Sequence, residues 1–254
     1  MRAQICRRQF LQTPINLISY RRNNTVRILA IDVGGTGLKA AILNAEGELV
    51  SDRLRVETPH PCTPEILVNS LYGLVSPLEN FDRISVGFPG VIRHGKIITA
   101  PNLGTARFRN FDLAAALEQR LGKPVRALND ADMQGLAAAQ GKGVEMVITL
   151  GTGFGSAIFV DGRIGPHLEL SHHPFRKGET YDEQLGNLAF KSAGKKNWNR
   201  RVRLAIENLR SLTNFDRLYI GGGNAKRISF KLDPDVQIIG NELGVKGGAW
   251  LWRD

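Results

Sequence analysis

Asp32 stands at the head of a glycine run, Asp32-Val33-Gly34-Gly35-Thr36-Gly37, with Lys39 just beyond. A carboxylate beside a phosphate-binding turn can hold Mg²⁺, usually through water. The plainer reading is an aspartate that caps a turn before glycine. A second run, Leu150-Gly151-Thr152-Gly153-Phe154-Gly155, has the same character. Glycines let the backbone come close to an anion and aim several N–H groups at it. Two such turns in one chain suit a phosphate chain gripped from both sides. Asn129-Asp130 ends one apolar run and opens a helical one. Asp130 there is either a helix cap or a general base, able to take the proton of a hydroxyl that attacks a phosphoryl group. Glu169, His172 and His173 offer acceptors and donors for neighbouring sugar hydroxyls. As a metal set they are weaker, because no further ligand pair follows at suitable spacing. Gly221-Gly222-Gly223 ends the run LYI and offers room for an adenosine.

These residues need elements to hold them. The apolar runs RILAIDV and LKAAIL flank the first turn; MVITL and SAIFV flank the second. No helix pattern follows either turn, so each reads as strand–turn–strand. That is unlike the dinucleotide fingerprint, in which a helix follows the glycines, and it argues against an NAD enzyme. Residues 27–57 read as a meander. Thr63 caps a helix over EILVNSLYGLV, and RISVGF is a buried strand. VIRHGKIITA is a hairpin around His94-Gly95, and FDLAAALEQRLG is a helix closed by Gly122. VRALND is a strand, ADMQGLAAAQG a helix, WNRRVRLAIENLRSLT a long helix, and ELGVKGGAWLWR a final helix. The stretch from Ile164 to Lys196 reads as a basic, loop-rich segment. Each half begins with a meander and continues with strands alternating with helices. We therefore expect two related α/β domains around a cleft: residues 27–125 and 126–254, with the final helix free to pack back on the first.

The composition is that of an ordinary globular protein: 254 residues, 42% hydrophobic and 23% charged. No apolar run is long enough to cross a bilayer, so no membrane association is expected. Cys6 and Cys62 are too few for a disulfide framework or a Cys-rich zinc site, which suggests a reducing, cytoplasmic setting. The net charge is +10. Six arginines before Asp32, with no acidic residue among them, supply +6 of it. Residues 1–26 thus read as a basic extension, an upstream start or an Arg-rich targeting segment. Nucleic-acid binding finds little support in that tail, whose aromatics are Phe10 and Tyr20 alone.

The segments LAIDVGGTGLKAAIL, VGFPGVI, APNLG, NDAD, LGTGFGSAIFVDG, ELSHHPFRKGETYDEQLG, NWNRRV and LYIGGGNA, in this order, resemble the ROK family (repressor, open reading frame, kinase). Within it they are similar to the polyphosphate glucokinase branch. The resemblance covers about residues 28–225. It implies an actin-like two-domain sugar-kinase fold. It implies a first phosphate loop of Asp32, Gly34, Gly35 and Thr36, and a second of Gly151, Thr152, Gly153 and Gly155. Asn129 would bind the sugar and Asp130 would be the base. Glu169, His172 and Glu183, chosen over Asp182, would bind sugar hydroxyls, with Asn102 at the pocket rim. A homodimer is also implied.

The chain departs from the family at several points. Many members carry a cysteine cluster that binds structural zinc, but this chain has no cysteine after Cys62, so zinc is not expected. Ser171 stands where the polyphosphate branch usually has glycine. Residues 1–26 are too few for the helix-turn-helix domain of the family's repressors. A polyphosphate donor would want a basic track. Arg176-Lys177, Lys195-Lys196 and Arg200-Arg201 with Arg203 are the candidates, against the plain alternative of a solvated helix face. The expectation is a kinase moving a phosphoryl group from polyphosphate or ATP to the 6-hydroxyl of glucose with Mg²⁺. Alternatives are an ATP-dependent kinase for another hexose and a non-catalytic sugar-binding regulator.

Overall fold

The computed structural model describes residues 26–240 and 243–253. The basic extension expected over residues 1–26 lies, except for Val26, outside the described residues. The first half runs β1 (Ile28–Val33), β2 (Leu38–Leu43), β3 (Leu54–Val56), α1 (Pro64–Val75), β4 (Arg83–Phe88), a small hairpin of β5 (Ile92–Arg93) and β6 (Lys96–Ile97), α2 (Thr105–Phe108), α3 (Leu113–Leu121), β7 (Val125–Asn129) and α4 (Asp130–Ala138). The second runs β8 (Val144–Leu150), β9 (Phe154–Val160), β10 (Arg163–Ile164), β11 (Pro174–Arg176), β12 (Glu179–Thr180), α5 (Tyr181–Leu185), α6 (Asn187–Thr213), β13 (Arg217–Gly221), β14 (Val236–Ile238) and α7 (Leu243–Trp250).

The two halves repeat one plan. The first five-stranded sheet has the order β3-β2-β1-β4-β7, and the second β10-β9-β8-β13-β14. In each, a glycine-turn hairpin pairs antiparallel and the next two strands pair parallel. The central strands are buried on both faces, which is why β1 and β4 read as nearly unbroken apolar runs. Local chemistry fixes the helix ends. The Thr63 hydroxyl accepts from Ile66 N (3.2 Å), Asp112 accepts from Ala115 N (3.0 Å), and Gly122 closes α3 at a left-handed φ of 67°.

Each lobe has its own core on the outer side of its sheet, under α1 and α3 in the first and under α5 and α6 in the second. The inner sides are covered by an exchange. α7, from the end of the chain, lays Val245 and Ala249 on Ile28, Ala30, Ala41 and Leu43 of the first sheet. α4, from the first half, packs Ala131 against Val147, Ala157 and Phe159 of the second. The two exchanged helices also pack on one another. They cross so closely that a Cβ at Gly247 would overlap the Met133 carbonyl.

Two expectations need correction. A division at residue 126 falls inside β7, whose pairing with β4 keeps Val125–Asn129 in the first sheet. The segment up to Lys196 is less of a loop than expected. It holds a hairpin and a short helix, and α6 already starts at Asn187. α6 carries one non-helical residue, Gly194 (φ 73°). That glycine, with Lys195, Lys196 and Asn197, breaks the apolar periodicity from which a helix is read.

Candidate active site

A cleft of about 340 Å³ opens between the lobes. One wall carries the first glycine turn and Lys39. The other carries the second turn with Gly222 and Gly223. Asn102, Asn129, Asp130, Glu169 and His172 also line it.

The first turn joins β1 to β2. Gly34 N donates to Gly37 O (3.0 Å), and outside groups fix the turn: Thr58 donates to Gly34 O (2.6 Å) and His60 to Gly35 O (3.0 Å). Asp32 and Lys39 face each other across the β1–β2 ladder and form an ion pair of 2.8 Å. The second turn joins β8 to β9. Gly151 N donates to Gly153 O (2.9 Å), Gly155 N to the Thr149 hydroxyl (3.1 Å), and Asn224 to Gly151 O (3.0 Å). Phe154 N donates to Asp182 Oδ1 (2.7 Å).

Some of these glycines are required by the protein and some are not. A Cβ on Gly153 would strike Asp182. A Cβ on Gly151, Gly223 or Gly244 would meet no protein atom within 4 Å, although all three line the cleft. A group from outside the chain that approaches the backbone closely would account for glycine at those three positions. The cleft thus fits a phosphate-bearing ligand, and Asp32 beside it fits a water-bridged Mg²⁺.

Asp130 is the first residue of α4. Its N-cap is Asn129, whose side-chain oxygen accepts from Ala131 N (2.8 Å) and Asp132 N (3.3 Å). Asn129 Nδ2 donates to Gly90 O (3.2 Å), so both ends of that amide already have protein partners. Asp130 lies partly open to the cleft but closely enclosed by protein. Its pKa is pushed up to about 7, first by burial and then by the Asp32 charge, against the Ala131 N–H that stabilises the anion. A carboxylate poised near neutrality suits a general base.

Ser171 donates to Glu169 Oε1, and the Thr99 hydroxyl lies 3.4 Å from Oε2. The His167 imidazole and the Ser171 hydroxyl hold the Glu169 carboxyl below its usual range, while burial works the other way. His172 lines the cleft. His173 instead turns its Nδ1 to Pro174 O (2.9 Å).

Two candidates do not reach the cleft wall. Gly221 packs against the Gln134 side chain. Glu183 closes a capping box with Thr180 at the start of α5. Its neighbour Asp182 is the acid that lines the cleft. Nor does any residue of the basic clusters line it. Arg176 donates to Gln184 Oε1 (2.9 Å) and Arg201 to Gln184 O (3.3 Å), while Arg203 stacks on Phe230 at 4.6 Å. Lys195, Lys196 and Arg200 are exposed on α6.

Among the described residues, no three His, Cys, Asp or Glu side chains are grouped to hold a metal ion, so Glu169, His172 and His173 do not form one. None of their helices is long and apolar enough to cross a membrane. Sequence reasoning missed His167, which stands between Asp132 and Glu169. A lone histidine ahead of the Glu169–His172 pair carries no spacing signal.

The ROK family model matches residues 28–176, more than half of the chain. The chain belongs to the ROK family. It is 32% identical over 235 residues to the polyphosphate glucokinase of Mycobacterium tuberculosis (strain ATCC 25618 / H37Rv), covering 86% of this chain and 84% of that protein. It is 38% identical over 141 residues to the N-acetylmannosamine kinase of Escherichia coli (strain SE11), covering 54% of this chain and 48% of that one. Among solved structures, the inorganic polyphosphate/ATP-glucomannokinase from Arthrobacter sp. strain KM superimposes with a TM-score of 0.80 at 32% identity, covering 88% of this chain and 97% of that one. The fold is the actin-like fold of ROK sugar kinases, and this ROK protein is related to sugar kinases along most of its length.

Proposed function

We propose that this ROK protein is a glucokinase that transfers a phosphoryl group to the 6-hydroxyl of glucose from inorganic polyphosphate, ATP or both. The observation that carries the proposal is Asp130, a carboxylate with a pKa raised to about 7 that lines a cleft walled by two glycine turns. The identity to a polyphosphate glucokinase over 86% of the chain supports the choice of donor and acceptor.

The sugar enters beside Glu169, His172, Asn102 and Asn129, with its reacting hydroxyl toward Asp130. As that oxygen bonds to the terminal phosphorus, the bond from phosphorus to the donor's bridging oxygen breaks, and Asp130 takes the hydroxyl proton. Amides of the two turns and the Lys39 ammonium bear on the phosphate oxygens. Bound near Asp32, Mg²⁺ would supply charge neutralisation for those oxygens. Asp182 keeps the second turn in shape by accepting from Phe154 N. Closure of the lobes excludes water, the competing acceptor.

The test is glucose-6-phosphate formation by purified protein with Mg²⁺, with ATP or polyphosphate as sole donor. Formation with either supports the reading, and the ratio ranks the donors. No product with either, together with turnover of mannose or N-acetylmannosamine, would move the acceptor assignment to another hexose. The local 38% identity to an N-acetylmannosamine kinase makes that comparison necessary.

A further inference from the structure

We propose that His167 is a positioning residue of the acceptor site: bridging Asp132 and Glu169 as a fixed cation, it aims the Glu169 carboxylate at the sugar and tempers the negative charge around Asp130. This rests on the reading of the cleft as a sugar-kinase site.

The geometry is a chain of three groups. His167 Nδ1 lies 3.0 Å from Asp132 Oδ2, and its Nε2 lies 3.9 Å from Glu169 Oε2. The histidine and Asp132 side chains are 11% and 7% exposed, whereas Glu169 is 30% exposed. The chain therefore runs from a buried anchor to a carboxylate presented in the cleft. Asp132 is itself anchored, since it lies in the first turn of α4 and its backbone N–H donates to the Asn129 cap. One short helix thus carries both Asp130 and the root of the bridge. Glu169 is held from two further sides, by Ser171 on Oε1 and by Thr99, which comes from the other lobe, on Oε2. A carboxylate gripped in this way has little rotamer freedom left to lose when a sugar hydroxyl docks.

Charge is the second part of the role. The charged or titratable groups facing His167 are Asp130 and Asp132 on α4 and Glu169 on the following loop, with His172 beyond Glu169 and Asp32 across Asp130. The carboxylates among them would repel one another and drive Asp130 toward its neutral form. Burial alone would neutralise His167, but the hydrogen bond it donates to Asp132, with Glu169 alongside, outweighs it and raises its pKa to about 9. The imidazolium therefore persists at neutral pH, and its charge lowers the Asp130 pKa.

The test uses His167→Gln, which keeps a hydrogen-bond donor and removes the charge, and His167→Ala, which removes both. Steady-state kinetics across pH 5.5–9 would be run beside ¹³C-histidine NMR of the wild-type protein. The expected result has three parts. The wild-type His167 resonance stays in its protonated form through pH 8. Both variants shift the acid limb of kcat/KM to higher pH. The Ala variant raises the glucose KM about tenfold, as losing one charge-assisted contact would, with a smaller change in kcat. A merely structural histidine would lower thermal stability and activity together and leave the limb in place, which overturns the proposal. An ordinary imidazole titration near 6.5 overturns it as well. The NMR signal reads the charged bridge whatever the acceptor is, so it separates failure of this inference from failure of the glucokinase reading.

Discussion

Asp130→Asn should slow turnover by orders of magnitude and yet make the ligand-free protein more stable. The ordinary carboxyl value is 3.8, and the cleft raises that of Asp130 to about 7. The native state therefore holds this proton more tightly than the unfolded chain does. Its stabilising contribution is complete below about pH 3.8 and is lost as the pH rises through about 7. Over roughly three pH units, at about 1.36 kcal/mol each, the loss reaches at most about 4 kcal/mol. Cleft solvent screens the group, so about half of that is the realistic figure. Asparagine keeps an acceptor for Ala131 N, which now bonds Asp130 Oδ1 at 2.9 Å, and it carries no charge. In a chain of this size 1 kcal/mol moves Tm by about 2–4 °C. We therefore expect Tm to rise by about 4–8 °C at pH 8, with the gain fading toward pH 4. Scanning calorimetry of both proteins, free of Mg²⁺ and ligand, reads this directly. A variant no more stable than wild type at pH 8 would refute the claim that the cleft strains this carboxylate.

Other outcomes follow from the same geometry. The acid limb of kcat/KM should fall near pH 7, and Asp32→Asn, which removes a charge that raises the Asp130 pKa, should move it lower; pH-rate profiles check both. Gly151→Ala should fold with stability within about 0.5 kcal/mol of wild type, because its Cβ meets no protein atom, but should raise the donor KM. Gly153→Ala should cost both stability and activity, since its Cβ displaces Asp182 from Phe154 N. Asp182→Asn should weaken donor binding more than Glu183→Gln does. Glu183→Gln should instead leave donor binding unchanged and lower stability only slightly, since glutamine can still close the capping box with Thr180; calorimetry and donor titrations separate the two acids.

Both glycine turns were legible because each lies between apolar runs of strand length and neither is followed by helical periodicity. Thr63 and Gly122 announced their helix ends because cap chemistry is local, whereas the cap considered at Asp130 proves to be its neighbour Asn129. What sequence could not supply was direction. Asp182 and Glu183 are adjacent acids on one short helix, and only the three-dimensional placement of α5 turns Asp182 to the second turn and Glu183 to Thr180. The exchange of α4 and α7 between the lobes rests on long-range packing that no local pattern encodes. His167 was invisible for a similar reason: its partners are 35 residues upstream and two downstream, and only the fold brings the three together. Ser171, legible only as a departure from the family pattern, proves to donate to Glu169.

The central claim is that Asp130 removes the proton in a cleft shared by the two glycine turns. Rapid-quench measurement of a single phosphoryl transfer, with enzyme in excess over glucose, compares wild type with Asp130→Asn directly. We expect the variant to bind glucose by calorimetry with affinity close to wild type and to transfer phosphoryl about 10²–10⁴-fold more slowly. A transfer rate within a few-fold of wild type would contradict the account.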